Sequence, residues 1–130
     1  MSAAPDWKDA QALKAWLATD GWRSPNTYCN YFGVLEDISA VYLLLLHKPE
    51  AKGWPGYDFA MVAYVGMSTR LKSRLATHDV IPKIETPDVH VMRWFKPTPT
   101  EALRETERHF IRHFNPPWNL VGKTRGVLVQ

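Results

Sequence analysis

A chain of 130 residues is long enough for one domain with a real core and short for two. Its 45% hydrophobic and 22% charged content exclude a disordered polymer, and its single cysteine, Cys29, excludes an internal disulfide and any cysteine-based zinc cluster. A net charge of +3 suits an anionic partner without identifying one. No basic-then-apolar leader opens the chain and no apolar run is long enough for a bilayer. The expectation is therefore a soluble, cytoplasmic protein with no membrane partner.

In chain order, residues 1–38 read as an accessory helix and lead-in loop, 39–120 as the core and 121–130 as a tail. Asp6 is placed to cap the first helix, in which Ala10, Leu13, Trp16 and Leu17 recur at helical spacing, and Gly21 stops it. Residues 23–30 read as a loop around Pro25-Asn26. Tyr28, Tyr31 and Phe32 either stack on exposed bases or cover one edge of the core. Asp37 and Ser39 lead into a strand over 41–47, apolar on both faces, as expected for a central strand covered by helices on each side.

The stretch 48–58 holds two prolines and two glycines and reads as a loop. Its Lys48, Lys52, Trp54 and Tyr57 mix cations with aromatics, which suits single-stranded or distorted nucleic acid. The other reading is an ordered hairpin extension with Trp54 folded back as cover. A second apolar run over 61–65 reads as a buried strand that Gly66 ends. Ser68 or Thr69 then caps a helix in which Leu71 and Leu75 make an apolar edge. Arg70, Arg74 and His78, also four apart, make a basic row. Three potential cations on one ridge repel each other unless something anionic lies beside them, so the row is expected to face phosphate.

Residues 79–87 read as a loop broken by Pro82 and Pro87, and 89–95 as a third strand. Val89, Val91, Arg93 and Phe95 fall on one face of it, His90, Met92 and Trp94 on the other, with His90 a surface or packed histidine. Pro97 and Pro99 stop this strand, and Thr100 caps a last helix over 101–114. There Leu103, Glu107, Phe110, Ile111 and Phe114 share one stripe, while Glu101, Arg104, Glu105, Arg108, Arg112 and His113 fall mostly on the solvated side. Burying a carboxylate is costly unless a cation or metal compensates it. Glu107 therefore either pairs with Arg74 in a structural salt bridge or holds a metal. The run Asn115-Pro116-Pro117-Trp118-Asn119 ends the helix, and Val127-Leu128-Val129 is an edge strand or a fraying end.

Three pieces of this pattern form an ordered set. Ala40-Val41-Tyr42 opens the first apolar strand. Tyr64-Val65-Gly66 closes the second, with Arg74 ten residues after Tyr64 and His78 four further on. Glu107-Arg108-His109-Phe110-Ile111 leads to Pro116 and Asn119. In order and spacing the set resembles the motifs of the GIY-YIG nuclease family, over roughly Ser39 to Asn119. The resemblance implies an α/β fold: a small three-stranded, mainly antiparallel sheet flanked by helices, here with an extra N-terminal helix.

It also implies a metal-dependent endonuclease that hydrolyses phosphodiester bonds in double-stranded or branched DNA. Glu107 would ligate one Mg²⁺ or Mn²⁺, Arg74 would contact the scissile phosphate, and Tyr42 would act as general base. Tyr64 would position water or phosphate, His78 would assist proton transfer or bind phosphate, and Asn119 would hold a nearby loop. Arg70 and Lys72 are expected on flanking phosphates, and Lys48 and Lys52 are nucleic-acid-binding candidates from the composition of their own loop and not from the resemblance. Two positions depart from the family pattern: Ala40 replaces the first glycine of the leading triplet, and Met67 stands where a basic residue is common. The rival readings are a non-catalytic nucleic-acid-binding module on the same fold, and a plain interaction domain in which Glu107 is an ion pair.

Overall fold

The computed structural model describes residues 8–23, 37–48, 59–86 and 89–119. The readings made above for Asp6, Tyr28, Tyr31, Phe32, Lys52, Trp54, Tyr57 and the tail lie outside the described residues, as does the side chain of Lys48. Among the described residues no helix is long and apolar enough to cross a membrane.

The architecture is α/β. Strand β2 (Ala40–Lys48) lies at the centre of the sheet, antiparallel to β3 (Phe59–Ser68) on one side and to β4 (His90–Pro97) on the other. A two-residue strand β1 (Lys8–Asp9) adds to the far edge of β3 through Lys8↔Ala60 and Asp9↔Phe59, giving the order β1-β3-β2-β4. The expected three strands are thus present, with this short fourth one beside them. Because the chain is still extended at residue 8, helix α1 starts at Ala10 and runs to Thr19. Asp9 caps it by accepting from the N–H of Gln11 at 2.8 Å and of Ala12 at 3.3 Å. Gly21, at φ +85°, takes the left-handed turn that follows the helix.

Each face of the sheet buries its own apolar layer. Val41, Leu43 and Leu45 of β2 face α1 and α4 (Leu103–Phe114), where Leu13, Leu17, Leu103 and Phe110 meet them. Ala40, Tyr42, Leu44 and Leu46 face the opposite way, toward α2 (Leu71–Ala76) and the single turn α3 (Ile81–Ile84). Leu43, Leu44 and Leu45 are wholly buried, each stabilising the fold by roughly 1.5–3 kcal/mol. A strand apolar on both faces needs this double cover, so the central position read for 41–47 follows from its composition. On β4 the alternation also holds, with Trp94 on the α1 side and Val91 and Phe95 on the other.

Several boundaries differ from those expected. Pro82 opens α3 instead of breaking a loop, because a proline in the first helical turn gives up no intrahelical hydrogen bond. Arg23 does not begin a loop. Its N–H and C=O pair with Phe95 at 2.7 and 3.0 Å and cover the outer edge of β4. The last helix opens as a 3₁₀ turn, Thr100–Ala102, with no side-chain cap from Thr100. Gly66 does not end its strand. β3 continues to Ser68, and Gly66 pairs with Tyr42.

One irregularity in β3 decides what faces what. The register with β2 runs Leu44↔Tyr64 and then Leu45↔Val62, so Ala63 is an extra, bulged residue. Strict alternation from Met61 would put Tyr64 on the opposite face from Met61. The bulge moves it to the same face, where it packs with Met61, Ala63 and Tyr42.

Candidate active site

The bulge brings Tyr64 beside Tyr42, with ring centroids 6.2 Å apart, and both rings meet the edge of His78 at 5.1 and 5.5 Å. Gly66 makes this close approach possible. A Cβ there would run into Cζ and Oη of Tyr42 and lie 2.9 Å from its Cε2. The phenol oxygen ends up between two nitrogens, His78 Nε2 at 2.7 Å and Arg74 Nε at 3.2 Å.

The tautomer of His78 follows from its other nitrogen. The N–H of Val80 donates to Nδ1 at 3.1 Å, so Nδ1 carries a lone pair and the neutral ring bears its proton on Nε2. Burial first, and the charge of Arg74 second, push the His78 pKa down to about 4, against an upward pull from Asp79, so the ring is neutral at pH 7. His78 Nε2–H and Arg74 Nε–H therefore both donate to Tyr42 Oη. Two donors on a phenol oxygen favour its anionic form. Burial acts in the opposite sense and dominates. It raises the phenol well above its ordinary value near 10, with Tyr64 adding to the rise and Arg74 opposing it. Glu107 lies near enough for its charge to add a smaller upward push. Arg74 is held as a cation: burial lowers its pKa, but the phenol oxygens of Tyr42 and Tyr64 raise it by more.

The basic row expected along one helix is divided. Helix α2 ends at Ala76, so His78 lies beyond it, with its side chain 0% exposed. A ring sealed in this way offers no surface to a phosphate. Arg70, 73% exposed, is tied to Asp37 at 3.2 Å. Arg74 donates to Tyr42 and lies 3.8 Å from Asp79. The mutual repulsion is thus relieved inside the protein, by Asp37, by Asp79 and by the neutrality of His78. Lys72, on the same helix, is half-buried.

Asp37 is the contributor that sequence reading missed. Neither Ser68 nor Thr69 caps α2. Instead the Asp37 carboxylate accepts from the Ser73 N–H at 3.2 Å, from Ser73 Oγ at 3.1 Å and from Arg70 Nε. Burial pushes its pKa up, but these hydrogen bonds together outweigh that and hold it below the usual carboxylate value. A cap reaching 36 residues along the chain leaves no local signature.

Asn119 docks on β3 from outside the sheet. Its Oδ1 accepts from the N–H of Val65 at 2.6 Å and its Nδ2 donates to the C=O of Val65 at 2.8 Å. The amide thus pairs the edge of β3 beyond the reach of the two-residue β1. Between this edge and α4 lies a cleft of about 410 Å³, lined by Tyr64, Met67, Arg104, Glu107, Arg108, Ile111, Trp118 and Asn119. Tyr64 belongs both to this cleft and to the Tyr42–His78 cluster, so the two are continuous. Glu107 is half-buried on the cleft wall. Arg104, Arg108 and Trp118 also line it, although sequence reading assigned none of them a role. For the two arginines the signal was the spacing 104, 108 and 111, which carries one face of a helix along the wall.

Among the described residues no three His, Cys, Asp or Glu side chains converge on one point. Glu107 is the carboxylate that lines the cleft. A single carboxylate at an open cleft fits a hard ion such as Mg²⁺ or Mn²⁺, which keeps several waters and shares a substrate phosphate, better than an ion needing a full set of protein ligands. Set against protein-family models, curated proteins and solved structures, the chain matches none.

Proposed function

We propose that this domain is a metal-dependent DNA endonuclease of the GIY-YIG type. The observation that carries the reading is the seating of Tyr42 Oη between His78 Nε2–H and Arg74 Nε–H, one ring away from a cleft holding Glu107. Hydrolysis of a phosphodiester needs a proton acceptor for water, a positive charge on the phosphoryl oxygens and help for the leaving oxygen. Arg74 supplies the fixed charge, and its guanidinium reaches solvent at 37% exposure. Tyr42 is the acceptor of the water's proton. His78 is excluded from that part while Val80 occupies Nδ1 and Nε2 bears the proton, so it acts by donating to the phenolate and stabilising it. Tyr64 orders the group that reaches Oη. Glu107 would hold Mg²⁺ or Mn²⁺, which when bound supplies Lewis-acid charge at the phosphate.

The non-catalytic binding module is the second reading, and one observation favours it. Tyr42 is only 1% exposed and its phenol is pushed upward, so in the free protein Oη is both protonated and covered. Catalysis then requires Tyr64 or Arg74 to yield when a strand binds. Incubation with supercoiled, linear and branched DNA, in Mg²⁺ or in EDTA, separates the two. The nuclease reading expects Mg²⁺-dependent nicking that Glu107→Gln abolishes with binding intact. Binding without cleavage in any metal would leave the module.

A further inference from the structure

Two of the cations that the sequence placed on phosphates are engaged within the protein. Arg70 is held by Asp37, and Arg74 is turned onto Tyr42 and Asp79. The cleft has cations of its own. Arg104 and Arg108 stand one helical turn apart on α4, both exposed, on either side of Glu107 in sequence, and both on the cleft wall. No carboxylate among the described residues lies within ion-pairing distance of either. Side chains four apart on a helix sit about 5–6 Å apart at Cβ, a separation that lets two guanidinium groups take neighbouring phosphates of one strand. With Glu107 on the same wall, the two guanidinium groups leave the cleft with an excess of positive charge. An anionic polymer complements that excess, whereas a neutral ligand would not.

From this we infer that Arg104 and Arg108 form a clamp for two successive phosphates of the bound DNA strand, running the backbone along α4 past Glu107 and toward Tyr64. The inference rests on the nuclease reading for the identity of the polymer and adds to it the residues that hold the strand. Each guanidinium donates paired N–H groups to phosphate oxygens, a planar contact that lysine does not reproduce. Binding energy therefore comes from α4, while α2 supplies Arg74 to the reacting phosphate.

The test is fluorescence anisotropy of a labelled oligodeoxynucleotide in EDTA, over a series of salt concentrations, so that the readout is binding and not cleavage. Wild type is compared with Arg104→Ala, Arg108→Ala and Arg108→Lys, and with Lys83→Ala, which removes an exposed cation that does not line the cleft. Each alanine variant should weaken binding roughly tenfold at low salt and reduce the slope of log K against log salt by about 0.7–0.9. Arg108→Lys should retain the slope and recover only part of the affinity, and Lys83→Ala should stay near wild type. If wild type binds and the arginine variants lose no more than Lys83→Ala, the clamp is wrong and the nuclease reading stands. If wild type itself does not bind the oligonucleotide at low salt, the nucleic-acid reading fails and the clamp with it.

Discussion

Tyr42 and Gly66 face each other across β2 and β3, and the ring of the tyrosine fills the space that a side chain on the glycine would need. The pairing fixes where the phenol oxygen lies, because the ring has no room on the Gly66 side once it is hydrogen-bonded to His78 and Arg74.

Gly66→Ala should therefore be destabilising although alanine suits a strand. The added methyl would collide with a rigid, buried ring, and overpacking of this kind typically costs about 1–3 kcal/mol. Urea denaturation measures it. In a Tyr42→Leu background the ring is gone and most of the penalty should vanish, a coupling that a double-mutant cycle reads directly. Equal penalties in both backgrounds would mean that the methyl strikes something other than Tyr42.

Asn119 and Val65 give a second expectation. Asn119→Ala removes both hydrogen bonds to the β3 edge, which should cost roughly 1–3 kcal/mol if water does not replace them. Asn119→Asp keeps an acceptor for the Val65 N–H but sets a carboxylate oxygen against the Val65 carbonyl, so it should not rescue stability. Hydrogen exchange at the Val65 amide should accelerate in Asn119→Ala and less in Asn119→Asp, which keeps the acceptor. Unchanged exchange would show that the amide does not protect this edge.

The depressed pKa of His78 makes stability depend on pH. Above 6.5 the ring is neutral in folded and unfolded chains alike. As pH falls from 6.5 to about 4, the unfolded chain takes up a proton that the folded one refuses, so stability declines. Below about 4 both forms are charged and this contribution is flat. The loss should be on the order of 3 kcal/mol, taken from the size of the shift. Denaturation curves between pH 7 and 4 measure it, and in His78→Gln that part of the decline should disappear. An undiminished decline in His78→Gln would assign it to other groups.

The three long strands were legible because their residues carry the signal themselves. The apolar run around Leu43, Leu44 and Leu45 marks a central strand, and the alternation of Val91, Arg93 and Phe95 marks a third one. Helix α1 was legible from Leu13 and Leu17, though its start was not, since pairing of Lys8 and Asp9 with β3 is a tertiary effect. The closeness of Tyr42, Tyr64, Arg74 and His78 was anticipated, but its geometry depends on the Ala63 bulge, which period-two patterning does not register. The basic row was misread for a related reason. Helical spacing assumed the helix continued to His78, and the acids that neutralise the row include Asp37, which reaches α2 through the fold.

The most direct measurement of the central claim is the single-turnover cleavage rate of Tyr42→Phe across a pH series, with Mg²⁺ present. The substitution deletes one oxygen and leaves the ring packed against Gly66. If that oxygen accepts the water's proton, the rate should fall by roughly two to four orders of magnitude, the usual contribution of general acid–base catalysis. DNA affinity should be nearly unchanged. Because the phenol is raised above 10 in the free protein, the wild-type rate should climb by about tenfold per pH unit through neutrality without levelling off, and Tyr42→Phe should lose that slope. A Tyr42→Phe protein that cleaves at near wild-type rate, with the same pH slope, would contradict the account.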